Sequence, residues 1–90
     1  GDKLVYDESN NLYVNDENTP LIKDGTNVKL NTFRGWNFYA IESTSSGYLC
    51  LLERGFTNGI ITFSLDGNYL SVSYNIDPSA YEYDFGQSLN

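Results

Sequence analysis

The centre of the chain carries the clearest pattern of hydrophobic and polar positions. Residues 36–43 alternate, as a half-buried strand does, because successive side chains of a strand point to opposite faces. One predicted face carries Trp36, Phe38, Ala40 and Glu42, and the other carries Asn37, Tyr39, Ile41 and Ser43. Residues 48–54 are nearly continuous in apolar side chains, which is typical of a strand covered on both faces.

Two further strands are predicted at 60–65 and 69–73, and turn-forming residues separate all four runs. These turns contain Ser45-Ser46-Gly47, Asn58-Gly59 and Asp66-Gly67-Asn68. Short loops of this kind join neighbouring antiparallel strands. The central half of the chain therefore predicts a four-stranded antiparallel sheet in chain order.

The N-terminal third has shorter β-prone runs at 3–6, 12–15 and 21–23. Turn-rich segments at 7–11 and 16–20 separate them, and Asp24-Gly25 follows the third run. This spacing predicts small hairpins.

The C-terminal segment has a helical pattern. Asp77 is a good N-cap and Pro78 suits the first helical position. Tyr81, Phe85 and Leu89 fall at i, i+4 spacing and form one apolar stripe. We therefore predict an α+β fold: a small twisted antiparallel sheet with N-terminal hairpins and one short C-terminal helix, in a single module covering residues 1–90.

The net charge of the chain makes some classes of binding partner unfavourable. The chain has 90 residues and a net charge of −7, so nucleic acid and anionic lipid are unfavourable partners. No apolar run approaches the ~20 residues of a membrane span, so we expect no membrane insertion. Solubility alone is sufficient to explain the acidity.

Enzymatic chemistry has little support. Histidine is absent, which excludes imidazole catalysis, and Cys50 lies in an apolar run, as a buried hydrophobe does. The carboxylates on or beside central strands are Glu42, Glu53 and Asp66, and we expect no enzyme. Glu42 is predicted to be a structural ion pair or turn anchor, with Arg34, Arg54 or turn backbone amides as its partners.

Binding chemistry leaves two alternatives open. Exposed Tyr and Trp rings stack on sugars, so a carbohydrate-binding module is one alternative, although Trp36 itself is predicted to lie in the core. Turns 7–10 and 15–18 offer oxygen ligands for calcium, but neither has the ligand spacing of an EF-hand loop. We predict that they are solvated turns.

Several motifs in a fixed order carry a resemblance. They are L-Y-V at 12–14, G-x-x-V at 25–28, W-x-x-x-A-x-E at 36–42, D-G-N-Y at 66–69 and E-x-x-F-x-Q-x-L-N at 82–90. Residues 85–90 followed by 1–2 read F-G-Q-S-L-N-G-D. In these motifs the chain resembles a tandem-repeat module of large secreted bacterial and cyanobacterial proteins of the haemolysin-type, RTX-like calcium-binding repeat class.

The resemblance implies one unit of a tandem array with a non-catalytic structural or adhesive role in an extracellular or cell-surface protein. Its partners would be neighbouring repeats, with surface glycans or proteins beyond them. Calcium would be the cofactor of the parent protein, with Asn90 and Asp2 as oxygen ligands at the repeat junction. Ser88 replaces the family's Asp there and Lys3 replaces its last Gly, so we expect the isolated unit to fold without a cofactor.

Overall fold

The fold is built from two small hairpins and one larger sheet, seen in a computed structural model that describes residues 2–85. The first hairpin pairs β1 (Leu4–Tyr6) with β2 (Leu12–Val14), and the second pairs β3 (Ile22–Lys23) with β4 (Thr26–Asn27). The larger sheet is antiparallel and follows chain order: β5 (Asn37–Thr44), β6 (Gly47–Arg54), β7 (Thr57–Phe63) and β8 (Tyr69–Ile76). The predicted hairpins and the predicted four-stranded sheet are both confirmed.

The β3–β4 turn illustrates how local chemistry sets this architecture. Asp24 and Gly25 both have positive φ, at 55° and 76°. A two-residue hairpin loop needs this backbone at both central positions, and Asp-Gly adopts it readily.

The predicted α+β class is wrong, because the fold is mostly β. The segment after β8 forms a 3-10 helix at Pro78–Tyr81 and then one α-helical turn, α1, at Glu82–Phe85. The predicted start is correct: the Asp77 side chain accepts a hydrogen bond from the Ser79 N–H. Ser and aromatic residues have modest helix propensity, so a short segment rich in them favours tight single turns over a regular helix.

A β-bulge in β5 changes which side chains reach the core. Phe38 lies opposite Leu52 and Ala40 lies opposite Leu51, so Tyr39 is an extra residue. Phe38 and Ile41 consequently both pack in the main core, whereas Ala40 turns to the other face. The predicted alternation, which put Phe38 and Ala40 on one face, is therefore wrong beyond the bulge.

The main core lies between one face of the sheet and the N-terminal hairpins. Its buried side chains are Leu12, Val14, Leu21, Val28, Phe33, Trp36, Ile41, Cys50, Leu52, Ile61 and Phe63. The Cys50 thiol is fully buried, and this burial raises its pKa far above the ordinary value. Cys50 is thus the small core hydrophobe that its apolar neighbours predict.

The opposite face of the sheet has a smaller core, formed by Leu51, Ile60 and Phe85. Because Leu51 and Leu52 are buried on different faces, β6 is covered on both sides, as predicted. Tyr81 packs at the edge of this cluster with Phe85. Leu89, the third residue of the predicted stripe, lies outside the described residues.

Phe85→Ala should lower the free energy of unfolding by about 2 kcal/mol, because it uncovers the second apolar face of the sheet. Urea denaturation followed by circular dichroism measures this loss. Leu70→Ala, a substitution at an exposed position, is the matched control and should change stability little. Equal midpoints for the two variants would mean that the C-terminal turns do not belong to the cooperative fold.

Candidate functional site

The start of the described chain is fastened to β5 by a group of hydrogen-bonded residues that we call the Asp2 clasp: Asp2, Asn15, Glu42 and Ser43. The Asp2 carboxylate accepts hydrogen bonds from Asn15 Nδ2 and from the Ser43 N–H, each at 2.8 Å. The Asp2 N–H donates to Glu42 Oε1 at 3.0 Å. Hydrogen bonding to the Asp2 carboxylate holds its pKa well below the usual value. The bond from Asn15 is the largest cause, and the bond from Ser43 adds to it.

Two predicted site residues, Asp2 and Glu42, belong to the clasp. Glu42 accepts from the backbone N–H of Asp2, which does not belong to a turn, so its anchor is a backbone amide but not the predicted turn amide. Arg54 instead lies over the Trp36 ring at 4.8 Å. Each oxygen of the Asp2 carboxylate already accepts one N–H bond. Asn90, its predicted partner at a repeat junction, lies outside the described residues.

The turn at 7–11 is organised around the Asp7 carboxylate. Asp7 Oδ1 accepts from the N–H groups of Ser9 and Asn11 at 2.9 and 3.0 Å, and Oδ2 accepts from Tyr13 Oη at 2.8 Å. The Tyr13 bond is the main reason that the pKa of Asp7 falls to about 2, and the same bond raises the pKa of Tyr13. These oxygens therefore organise their own turn.

The turn at 15–18 is built in the same way, with Asp16 Oδ1 accepting from the Asn18 N–H at 2.9 Å. Among residues 2–85, no group of three or more His, Cys, Asp or Glu side chains is placed to hold a metal ion. In each turn an aspartate oxygen accepts from backbone amides: Asp7 Oδ1 from Ser9 and Asn11, and Asp16 Oδ1 from Asn18.

Acid should destabilise the fold through Asp2 and Asp7. Their pKa values are lower in the folded chain than the ~3.9 of an unfolded Asp, so their stabilisation is complete above about pH 4 and is lost as the pH falls toward 2. Asp7→Asn should lower the urea midpoint at pH 7 and flatten its decline between pH 4 and 2. Asp66→Asn is the control, because Asp66 makes no side-chain hydrogen bond within residues 2–85. A control that flattens the decline equally would contradict the assignment.

Trp36 is in the core, as predicted. Its side chain is 9% exposed and stacks on the Tyr74 ring at a centroid distance of 5.1 Å. It also covers Gly59, where an added Cβ would lie 3.7 Å from the indole. A sugar ring has no open indole face to stack on, so any sugar contact must use other aromatic side chains.

The three carboxylates considered for catalysis are dispersed. Glu42 lies opposite Leu49 of β6, and Glu53 lies four residues further along that strand. At the rise of a strand this places their backbones about 13 Å apart, beyond the ~5–9.5 Å separation of paired glycosidase carboxyl groups. Asp66 lies in the turn between β7 and β8.

A groove of about 420 Å³ lies between β1 and β5. The Asp2 clasp closes one end, and beyond it no hydrogen bond in the described chain joins the two strands. Its apolar lining includes Leu4 and Phe38 of the main core, and Tyr6, Leu30 and Tyr39, which are open to solvent. Tyr6 is 64% exposed and Tyr39 is 52% exposed, so the groove has exposed aromatic side chains at its edge.

A second, wider hollow of about 650 Å³ adjoins the groove at Tyr6. Its other lining residues are Asp7, Glu8, Ser9 and Glu17, so it is acidic. The two hollows share Tyr6 and together form a surface that is largely apolar along the groove and negatively charged in the second hollow.

Sequence reasoning missed this groove. The residues that line it come from the first hairpin and the residues just before it, from the segment before Phe33, and from β5, which are far apart in the chain. The available signal was the pair Tyr6 and Tyr39: each is an aromatic residue on a predicted strand, and neither is required to fill the core.

Comparison of the chain with protein-family models, with curated protein sequences and with solved structures found no match. The described residues contain no helix with the length and hydropathy that crossing a lipid bilayer requires.

Proposed function

We propose that this chain is a non-catalytic structural and adhesive module, and that it works as one unit of a tandem array in a large extracellular or cell-surface protein. The tandem order rests on the resemblance to tandem-repeat modules that the motifs at 36–42, 66–69 and 82–90 carry. Adhesion rests on the groove between β1 and β5.

One observation carries the structural part of the proposal. In the clasp, Asp2 bonds to Glu42 and Ser43 of β5, and α1 packs against the same strand. The segments that would lead into and out of a unit are therefore both held on β5. Fixed attachment at both ends supports an array whose neighbouring units contact one another, as in other repeat proteins.

A protein of two consecutive copies, with Asn90 joined directly to Gly1, tests the array. It should melt at a higher temperature than the single copy, because the interface between neighbours adds to the stability of each unit. The control has a twelve-residue Gly-Ser linker between the copies and should melt as the single copy does.

Equal melting temperatures for all three proteins would contradict the array. A single copy that folds only after calcium is added would contradict the cofactor-free unit, so each measurement is repeated with a chelator. A single copy that folds in the presence of the chelator would show that any calcium of the parent protein is not needed to fold this unit.

Carbohydrate binding is the second candidate function, and the exposure of Tyr6 and Tyr39 beside the groove favours it. Aromatic faces at the edge of a concavity can stack on pyranose rings. A glycan array on the single copy, repeated with Tyr39→Ala, tests this candidate. Glycan binding that survives the substitution would move the sugar site away from the groove.

A further inference from the structure

We propose that the groove between β1 and β5 binds an extended, positively charged peptide segment of another protein, which adds a strand to one of these two edges. The inference rests on the adhesive part of the proposed function and names its ligand class. It does not depend on the tandem array.

Unpaired backbone groups line the groove on the β1 side. The N–H and C=O of Lys3 bond to Asn15, and the Asp7 N–H donates to the Asn11 C=O, so these residues face β2. Because backbone groups alternate in direction along an antiparallel strand, those of Leu4 and Tyr6 face the groove. They present two N–H donors and two C=O acceptors to an added strand.

The β5 side offers a shorter edge. The Ser43 N–H leaves the sheet to reach Asp2, so this position faces β1. The register of β5 against β6 is unbroken from Ser43 to Ile41, which places the Ile41 N–H and C=O on the same side. An extended peptide can therefore bond to β1 or β5 while its side chains contact Tyr39 and Leu30.

Charge determines the partner. A strand that follows the groove past Tyr6 enters the hollow lined by Asp7, Glu8 and Glu17. Lysine or arginine at that end of the peptide is attracted there, and an acidic segment is repelled. A second copy of this chain is a poor occupant, because its net charge is −7. The favoured ligand has alternating β-prone residues followed by a basic end.

The probe is a fluorescent nine-residue peptide of three arginines and six alternating valines and threonines. It is synthesised in both sequence polarities, with the arginines at the N-terminal end in one peptide and at the C-terminal end in the other. At least one polarity should bind the single copy with a dissociation constant below about 100 µM. Glu17→Lys should weaken binding about fivefold and reduce its salt dependence. Asp66→Lys is the matched charge reversal outside the groove and should leave binding unchanged.

Two measurements separate strand addition from nonspecific charge attraction. A peptide with alternate backbone nitrogens methylated keeps its side chains and charge but loses strand hydrogen bonds, so it should not bind. Amide hydrogen exchange should slow at Leu4 and Tyr6, or at Ile41, when the unmodified peptide is added. The Lys3 and Asp7 amides are internal controls, since both already have partners.

Several outcomes overturn the proposal. They are the absence of saturable binding up to about 1 mM, equal binding of the methylated peptide, protection confined to other strands, groove binding by glycans alone, and self-association that protects the same amides. None of these outcomes alters the two-copy melting result. Failure of the peptide site and failure of the structural module are therefore separately visible.

Discussion

Gly47→Ala should lower the free energy of unfolding by about 3–5 kcal/mol, a large share of the ~5–15 kcal/mol typical of a natural domain. Gly47 begins β6 with φ of 152°, a backbone that residues with a Cβ rarely adopt. An added Cβ would collide with the backbone carbonyl oxygen of Phe63. Phe63 is fully buried and hydrogen-bonded within the sheet, so it cannot move aside without disturbing the core.

Gly25→Ala is the control for this prediction. Gly25 also has positive φ, at 76°, but nothing lies within 4 Å of an added Cβ. This substitution isolates the backbone strain and should cost about 1 kcal/mol. Urea midpoints from tryptophan fluorescence compare the two variants. If Gly47→Ala were no more damaging than Gly25→Ala, the close approach of Gly47 to Phe63 would be refuted.

Trp36→Ala should cost about 3–5 kcal/mol, because the indole fills the main core and covers Gly59. The Tyr74 ring would lose its stacking partner, and the Arg54 guanidinium would lose the aromatic face beneath it. Thermal melting followed by circular dichroism measures the loss.

The matched control is Phe56→Ala, which removes a large aromatic side chain from a fully exposed position in the β6–β7 turn. It should change stability by less than about 0.5 kcal/mol. A folded Trp36→Ala protein with the same melting temperature as the Phe56→Ala control would show that the indole is not part of the core. That result would return Trp36 to the list of sugar-stacking candidates.

These predictions depend on features that the sequence reveals unequally. The sheet order is readable because short turns such as Asp66-Gly67-Asn68 leave neighbouring strands one way to pair. The bulge at Tyr39 is not readable, since the residues around it alternate without interruption and only the pairing with β6 exposes the extra residue. One bulge then changes which of Ala40 and Ile41 reaches the main core.

The C-terminal segment demonstrates a different limit. Its N-cap is a local interaction between Asp77 and Ser79, so the sequence predicts it correctly. Helix length depends on the balance between weak propensity and packing against the sheet, which no local pattern contains. The groove is harder to predict, because β1 and β5 are far apart in the chain. Among the described residues, the hydrogen bonds near the groove that reach β5 from the start of the chain are those of Asp2 with Ser43 and Glu42.

That contact has a consequence for the order of folding. The Asp2 clasp joins residues 40 and 41 positions apart, and closing a flexible loop of that length costs about 3 kcal/mol. The hairpins of β5–β8 close much shorter loops, so we expect them to form the transition state and the clasp to form after it. Asp2→Ala should therefore accelerate unfolding and leave the refolding rate unchanged in stopped-flow experiments. On this expectation the clasp slows the release of the N-terminal segment from β5 without assisting folding, whereas slower refolding of Asp2→Ala would place the clasp in the folding nucleus.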